Sequence, residues 1–280
     1  EADERTATES GKLDDRFVFT QENPGREYRA IQGLAAAARV LTGFNDDLAG
    51  RCRKAAVELY DRKQDYDASS SKVQAAVELF LTTDNEKYKN DLLAMEEVIV
   101  KNINSTGWAM ARVWDSFNDA GFKNELSSAY EKLQEDLEAK QNENPFDVPY
   151  NIRVCGDGWG IQRLGMQHYF LHKNLPEYFN TDLLFNALHF ILGNHPGQNT
   201  SSFASGVGSR SITEAYGINR ADRSFIPGGV ASGTGIICPD FPELKEWPYF
   251  WQQTEYVMGG GATHFMFLTL AANELLNSNP

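Results

Sequence analysis

Apolar residues recur every three to four positions from residue 28 to about residue 192, and strict two-residue alternation is scarce. A period of 3.6 buries one stripe of a helix, whereas a strand needs a period of two, so the pattern commits the chain to packed helices. Ile31, Leu34, Ala38 and Leu41 share one face. Leu48, Cys52, Ala56 and Leu59 share another, behind a cap-like Asn45-Asp46-Asp47. Val73, Ala76, Val77 and Phe80 follow a run of serines, and Tyr88, Leu92, Met95 and Ile99 follow the turn Thr82-Thr83-Asp84-Asn85. Further helices are expected over 106–119, 123–141, 158–173, 179–192 and 262–276. Short polar joins between helices predict antiparallel pairs.

Two interruptions stand out. Residues 142–151 form a Pro/Asn-rich break, and a long non-helical stretch runs from Asn194 to about Pro248. A loop that long inside a compact domain is usually functional. It carries the Gly/Ser-rich runs GQNTSSFASGVGSRS (197–211) and IPGGVASGTG (226–235), where glycine permits tight turns or close backbone approach. Residues 1–12 are polar, lack an apolar period and are expected to be a disordered or cut start; residues 13–280 are expected to belong to one domain.

Composition narrows the function classes. A net charge of -13 argues against nucleic acid and anionic membrane surfaces, both of which favour basic patches. No run of 18 apolar residues exists to form a membrane-spanning helix, and no signal-peptide pattern is present. The three cysteines (Cys52, Cys155, Cys238) show no CxxC or Cys/His spacing and read as buried thiols. His168 and His172 are four apart without an acidic partner, which marks a helix face rather than a metal site.

Glu255 is the one acid between Trp247 and Phe267, among seven aromatic residues and just ahead of three glycines. Apolar walls raise a carboxyl pKa by penalising the charged form, which is what a general acid needs near neutral pH. Phe250, Trp251 and Tyr256 are candidates for those walls. The local sequence leaves a salt-bridged structural glutamate open as well. Upstream, the Gly-rich turn at 155–160 carries Asp157 and Trp159 into a helix. Asp157 is a candidate ligand contact or helix cap, and Trp159 a candidate stacking platform.

The C-terminal third resembles glycoside hydrolase family 9. The matching pieces, in order, are Leu192-Gly193-Asn194-His195-Pro196, then Ser202-Phe203-Ala204-Ser205-Gly206-Val207-Gly208-Ser209, then Pro227-Gly228-Gly229, then Thr254-Glu255 before a final apolar helix. Weaker similarity extends upstream through Gly33–Leu41 and Leu79–Tyr88. The resemblance implies an all-α (α/α)6 barrel, inverting cleavage of a β-linked gluco-configured oligo- or polysaccharide, and Glu255 as the general acid. No cofactor is required by that chemistry, and a structural calcium ion is compatible with it but not indicated. The substrate class implies a periplasmic or secreted location.

Two departures qualify the resemblance. The family's His-His-Arg element is replaced by EAYGINRADR (214–223), which assigns substrate binding to Tyr216, Asn219, Arg220 and Arg223. The family's Asp-Ala-Gly-Asp motif, which supplies the base of an inverting enzyme, is absent; LDDR (13–16) and Asn45-Asp46-Asp47 lack its glycine. The periodicity accounts for roughly nine helices, short of six hairpins. The expectation is therefore an incomplete barrel, inactive alone, whose base and remaining helices come from outside residues 1–280. Its partners are then the β-linked glycan and that missing part. The alternatives are a non-catalytic carbohydrate-binding remnant and another α/α-barrel polysaccharide-degrading enzyme, such as a lyase or unsaturated glucuronyl hydrolase.

Overall fold

The computed structural model describes residues 23–62, 68–149, 157–195, 202–208, 227–230 and 260–277. Among these, all regular structure is helical, apart from isolated bridges at Ser202 and between Ala204 and Val230, the latter antiparallel. The helices are α1 (Pro24–Leu41), α2 (Asp46–Arg62), α3 (Ser70–Thr83), α4 (Glu86–Ala94), α5 (Glu96–Lys101), α6 (Ile103–Ala111), α7 (Ala120–Gln141), α8 (Asp157–Asn174), α9 (Asp182–Leu192) and α10 (Gly260–Asn277). The chain divides into two compact units, residues 1–89 and 90–280.

In the first unit, α1, α2 and α3 pack on one another. Asn23 caps α1 by accepting from the Arg26 N–H at 3.1 Å, with Pro24 behind it, where its missing N–H costs nothing. Asn45 accepts from Leu48 N–H at 3.1 Å, and Ser69 from Lys72 N–H at 3.3 Å, so the Asn45 and serine signals are helix starts as expected. The core differs from the expected stripe on α2. Ala49, Ala56 and Tyr60 are buried, whereas Leu48 is exposed and Leu59 only half-buried. The reason is aromatic: Tyr60 sits edge-on to Tyr28 (6.2 Å) and Tyr88 (5.3 Å), which turns that side of α2 inward. Arg39 pairs with the buried Glu78 carboxylate and also donates to the Glu78 carbonyl at 2.9 Å, clamping α1 to α3.

In the second unit the helix expected around 88–99 is broken at Met95. Met95 N–H donates to Leu92 O (3.0 Å), a tighter three-residue bond, and α5 starts behind it. The helix expected over 106–119 is α6, ending at Ala111, followed by tightened turns and a short 3-10 helix at Trp114–Ser116. Asp119 then caps α7 by accepting from Phe122 N–H at 2.9 Å. The expected break after α7 is a tight structure over its described part: Asn144 holds Val148 O (2.7 Å) and Asp147 adopts a positive φ of 51°.

Three helices, α8, α9 and α10, share one core. Gly165 on α8 lies against both Ala187 on α9 and Leu268 on α10; a methyl there would stand 2.9 Å and 3.1 Å from them. Tyr169 and Lys173, further along α8, meet Glu274, further along α10, so α8 and α10 run parallel. The α8–α9 connection brings Phe179 and Asn180 back onto His172 and His168, so α9 runs antiparallel to both. Around Gly165 pack Ile161, Leu183, Leu184, Phe190, Ile191, Ala271 and Ala272, all buried. Burying each large side chain contributes about 1.5–3 kcal/mol.

Candidate functional site

The parallel and antiparallel directions put three chain ends together. The N-terminal ends of α8 and α10 and the C-terminal end of α9 share one end of this trio, here called its head. The motif pieces of the Gly/Ser-rich stretch are anchored there. Phe203 N–H donates to Ile191 O at 2.8 Å. The His195 and Phe203 rings stack at 4.3 Å, with Phe190 edge-on to both. Ser202, Phe203 and His195 are buried. Ser205 N–H donates to Gly229 O (2.8 Å) and Gly228 N–H to Ser205 O (3.2 Å), so the Pro-Gly-Gly piece is pinned to the Ser-Phe piece.

The glycines of these pieces have a mechanical reason. Gly193, Gly206, Gly208 and Gly228 all take positive φ, a region that costs other residues about 1–2 kcal/mol. Gly208 is the most constrained. A Cβ there would lie 2.6 Å from the Ser202 Cβ and 2.9 Å from the Leu192 carbonyl, closer than van der Waals contact allows. Motif residues separated by sequence thus hold one compact loop foundation on the end of α9.

Of the candidate site residues, the structure describes two. Asp157 is the first residue of α8, at the head. Trp159 follows in the first turn and is half-buried; its indole Nε1 is buried with no hydrogen-bond partner among the described residues. Glu255, Tyr216, Asn219, Arg220, Arg223, Trp251 and Tyr256 lie outside the described residues, as do Phe250, Cys155 and Cys238. In sequence, Glu255 precedes the start of α10 by five residues.

Two polar residues at the head escaped the sequence reading. Gln162 is fully buried, and neither of its amide atoms has a partner among the described residues. His264, half-buried on α10, has an equally orphaned Nδ1. Burial first, and the Arg163 charge second, hold the His264 pKa below its usual value. The signal available in the sequence was a polar residue interrupting the stripe Gln162, Gly165, Tyr169. By contrast, His168 and His172 are structural, bonded at 2.8 Å to Asn180 O and Phe179 O. Cys52 is a free, partly buried thiol.

Among the described residues no group of three metal-binding side chains is present, and no helix is long and apolar enough to cross a membrane. Asp119-Ala120-Gly121 contains part of the absent Asp-Ala-Gly-Asp string, but Phe122 stands where its second aspartate would be, and the Asp119 carboxylate caps α7.

No family model matches the sequence, and no curated protein matches it. Solved structures do. AaCel9A, in complex with cellobiose-like isofagomine, superposes with a TM-score of 0.70 at 13% identity, over 95% of this chain and 58% of that one. The cellulase Cel9M of C. cellulolyticum gives 0.66 at 15% identity, over 96% and 69%. The endoglucanase from the termite Nasutitermes takasagoensis gives 0.66 at 14%, over 91% and 66%. The fold is therefore all-α and corresponds to part of the family 9 glycoside hydrolase barrel. The chain spans 58% of the length of the first of these relatives.

Proposed function

We propose that this chain is the acid-bearing part of an inverting glycoside hydrolase that cleaves β-linked gluco-configured glycans. The observation that carries the reading is the head of the α8–α9–α10 trio. There the Leu-Gly-Asn-His, Ser-Phe and Pro-Gly-Gly pieces are locked together beside α10, the helix that Glu255 precedes. The likeness to cellulases of the same fold supports it.

In this reading Glu255 protonates the leaving glycosidic oxygen, with Trp251 and Tyr256 as its apolar walls. Asp157, Trp159, Tyr216, Asn219, Arg220 and Arg223 bind the glycan. The base is supplied from outside residues 1–280, by the rest of the same catalytic domain, and residues 13–280 form one portion of that domain. Apolar side chains that such a portion would cover are present: Met266 and Leu270, one turn apart on α10, are 63% and 65% exposed. The glycan substrate places the enzyme outside the cytoplasm.

The test is Glu255→Gln in the assembled domain. General acid catalysis contributes about 10²–10⁴-fold. The expected loss is of that order on cello-oligosaccharides and much smaller on aryl cellobiosides, whose leaving groups need little protonation. Equal losses on both would make Glu255 a positioning residue; no loss on either would overturn the reading. Robust turnover by residues 1–280 alone would place the base within this chain.

A further inference from the structure

Four polar atoms at the head of the trio have no hydrogen-bond partner among the described residues: Trp159 Nε1, both amide atoms of Gln162, and His264 Nδ1. A buried polar atom left unpaired destabilises the fold, because its bonds to water are lost and not replaced. Side chains of similar volume without that cost exist for each position, so a cluster of such atoms marks a place where the fold is not at its stability optimum.

The helix register brings the three residues together. Gln162 lies one turn ahead of Gly165 on α8, and His264 one turn ahead of Leu268 on α10. Gly165 and Leu268 are in contact, and the helices are parallel. Residues three or four apart share a helix face, so Gln162 and His264 occupy the facing sides of α8 and α10, just above that contact. Trp159 stands one turn above Gln162. Trp159 and His264 are half-buried and Gln162 is fully buried, so two partly exposed rings flank an amide floor. The charge of Arg163 reaches His264.

The chemistry of the set is specific. The indole offers a donor, the carboxamide a donor and an acceptor, and a neutral imidazole nitrogen one or the other according to tautomer. No formal charge is included. Neighbouring hydroxyls on one ligand satisfy this mixture, since each donates one hydrogen bond and accepts up to two.

We propose that Gln162 and His264, with the Trp159 indole N–H, form a hydroxyl-binding subsite for a neutral pyranose at the head of α8 and α10. The proposal rests on the glycosidase reading and deepens it, because it assigns recognition of ring hydroxyls to two residues outside the family resemblance.

The experiment uses the chain of residues 1–280 and cellotetraose as the probe, with affinity from calorimetry and stability from urea unfolding. Gln162→Met is close in volume and carries no hydrogen-bonding amide. It is expected to raise the urea midpoint and to weaken cellotetraose binding at least tenfold. A purely structural glutamine would not give opposite signs in the two measurements. His264→Gln keeps a donor and an acceptor and is expected to retain most of the affinity, whereas His264→Phe loses it. Unchanged affinity in Gln162→Met overturns the proposal, as does preference of the wild-type chain for trigalacturonic acid, an anionic probe. Failure of the glycosidase reading looks different. If Glu255→Gln leaves turnover of the assembled domain intact while Gln162→Met still loses binding, the subsite stands without that acid. If the wild-type chain binds neither probe, the subsite falls, while the glycosidase reading is decided separately by turnover of the assembled domain.

Discussion

The two ends of the α8–α9–α10 trio are built on opposite plans. At the foot, polar side chains are paired: His168 and His172 hold the Asn180 and Phe179 carbonyls, and Tyr169, Lys173 and Glu274 bond one another at 2.8–3.1 Å. His168 Nδ1 is the exception there. At the head, Trp159, Gln162 and His264 leave buried polar atoms unpaired, and positive-φ glycines replace ordinary turn residues. Paired groups fix one arrangement of the helices. Unpaired ones stay available to something else, at a cost in stability.

The contrast is open to experiment, and the largest effect belongs to the proposed acid. Glu255→Gln should remove about 10²–10⁴-fold of turnover with the fold unchanged, measured by steady-state kinetics and circular dichroism. Next comes Gly208→Ala. Positive-φ strain and the crowding against Ser202 and Leu192 together should cost about 4 kcal/mol, read from urea unfolding. Gly228→Ala also takes positive φ but meets nothing within 4 Å, so it should cost about 1 kcal/mol. Equal costs at the two sites would mean that close packing, as distinct from backbone conformation, does not hold the motif loop.

The foot predicts a pH effect. His168 is nearly fully buried, and desolvation above all, with the nearby His172 charge, holds its pKa down at about 4 against an ordinary 6.5, despite the Asn180 carbonyl and Asp182. The unfolded chain binds a proton below pH 6.5 that the folded chain refuses until about pH 4. His168 therefore contributes stability that is fully present above pH 6.5 and is lost as pH falls towards 4, amounting to about 3 kcal/mol. In His168→Gln, which retains a donor for Asn180 O, that part of the pH dependence should vanish in urea titrations between pH 4 and 7. The smallest effect is expected for Glu274→Gln. The ion pair it breaks with Lys173 is half-exposed and screened, so the urea midpoint should scarcely move.

Legibility in the sequence followed the same divide. The bounds of α8 and α10 lay within two residues of those expected, because long apolar stripes ending in glycine or asparagine leave little choice. Gly193, Gly206, Gly208 and Gly228 were legible too, since each occupies a backbone conformation that other residues resist. The start of α9 was not. Phe179 continues the apolar pattern, yet its carbonyl and that of Asn180 are claimed by two histidines from α8, a contact between neighbouring segments that periodicity does not encode. Met95 shows the same limit: Leu92, Met95 and Ile99 all stay buried, so their stripe reads the same with or without the break. Gln162 is one polar residue interrupting a stripe in the sequence, and only its burial with both amide atoms unpaired marks it out. Tyr216, Asn219, Arg220, Arg223, Trp251, Glu255 and Tyr256 rest on motif order alone.

The parallel pairing of α8 with α10 has one more consequence. Everything from residue 175 to residue 259 lies between two helices already held side by side through Gly165 and Leu268. The entropy of closing such an excursion grows only with the logarithm of its length, about 0.6 kcal/mol for each doubling. Insertions between Ser209 and Ile226, or between Ala231 and Gly259, therefore load the helical platform very little. The architecture separates the paired helices from the lengths of chain that join them: selection is able to lengthen or shorten the joining segments while the three helices keep the same register.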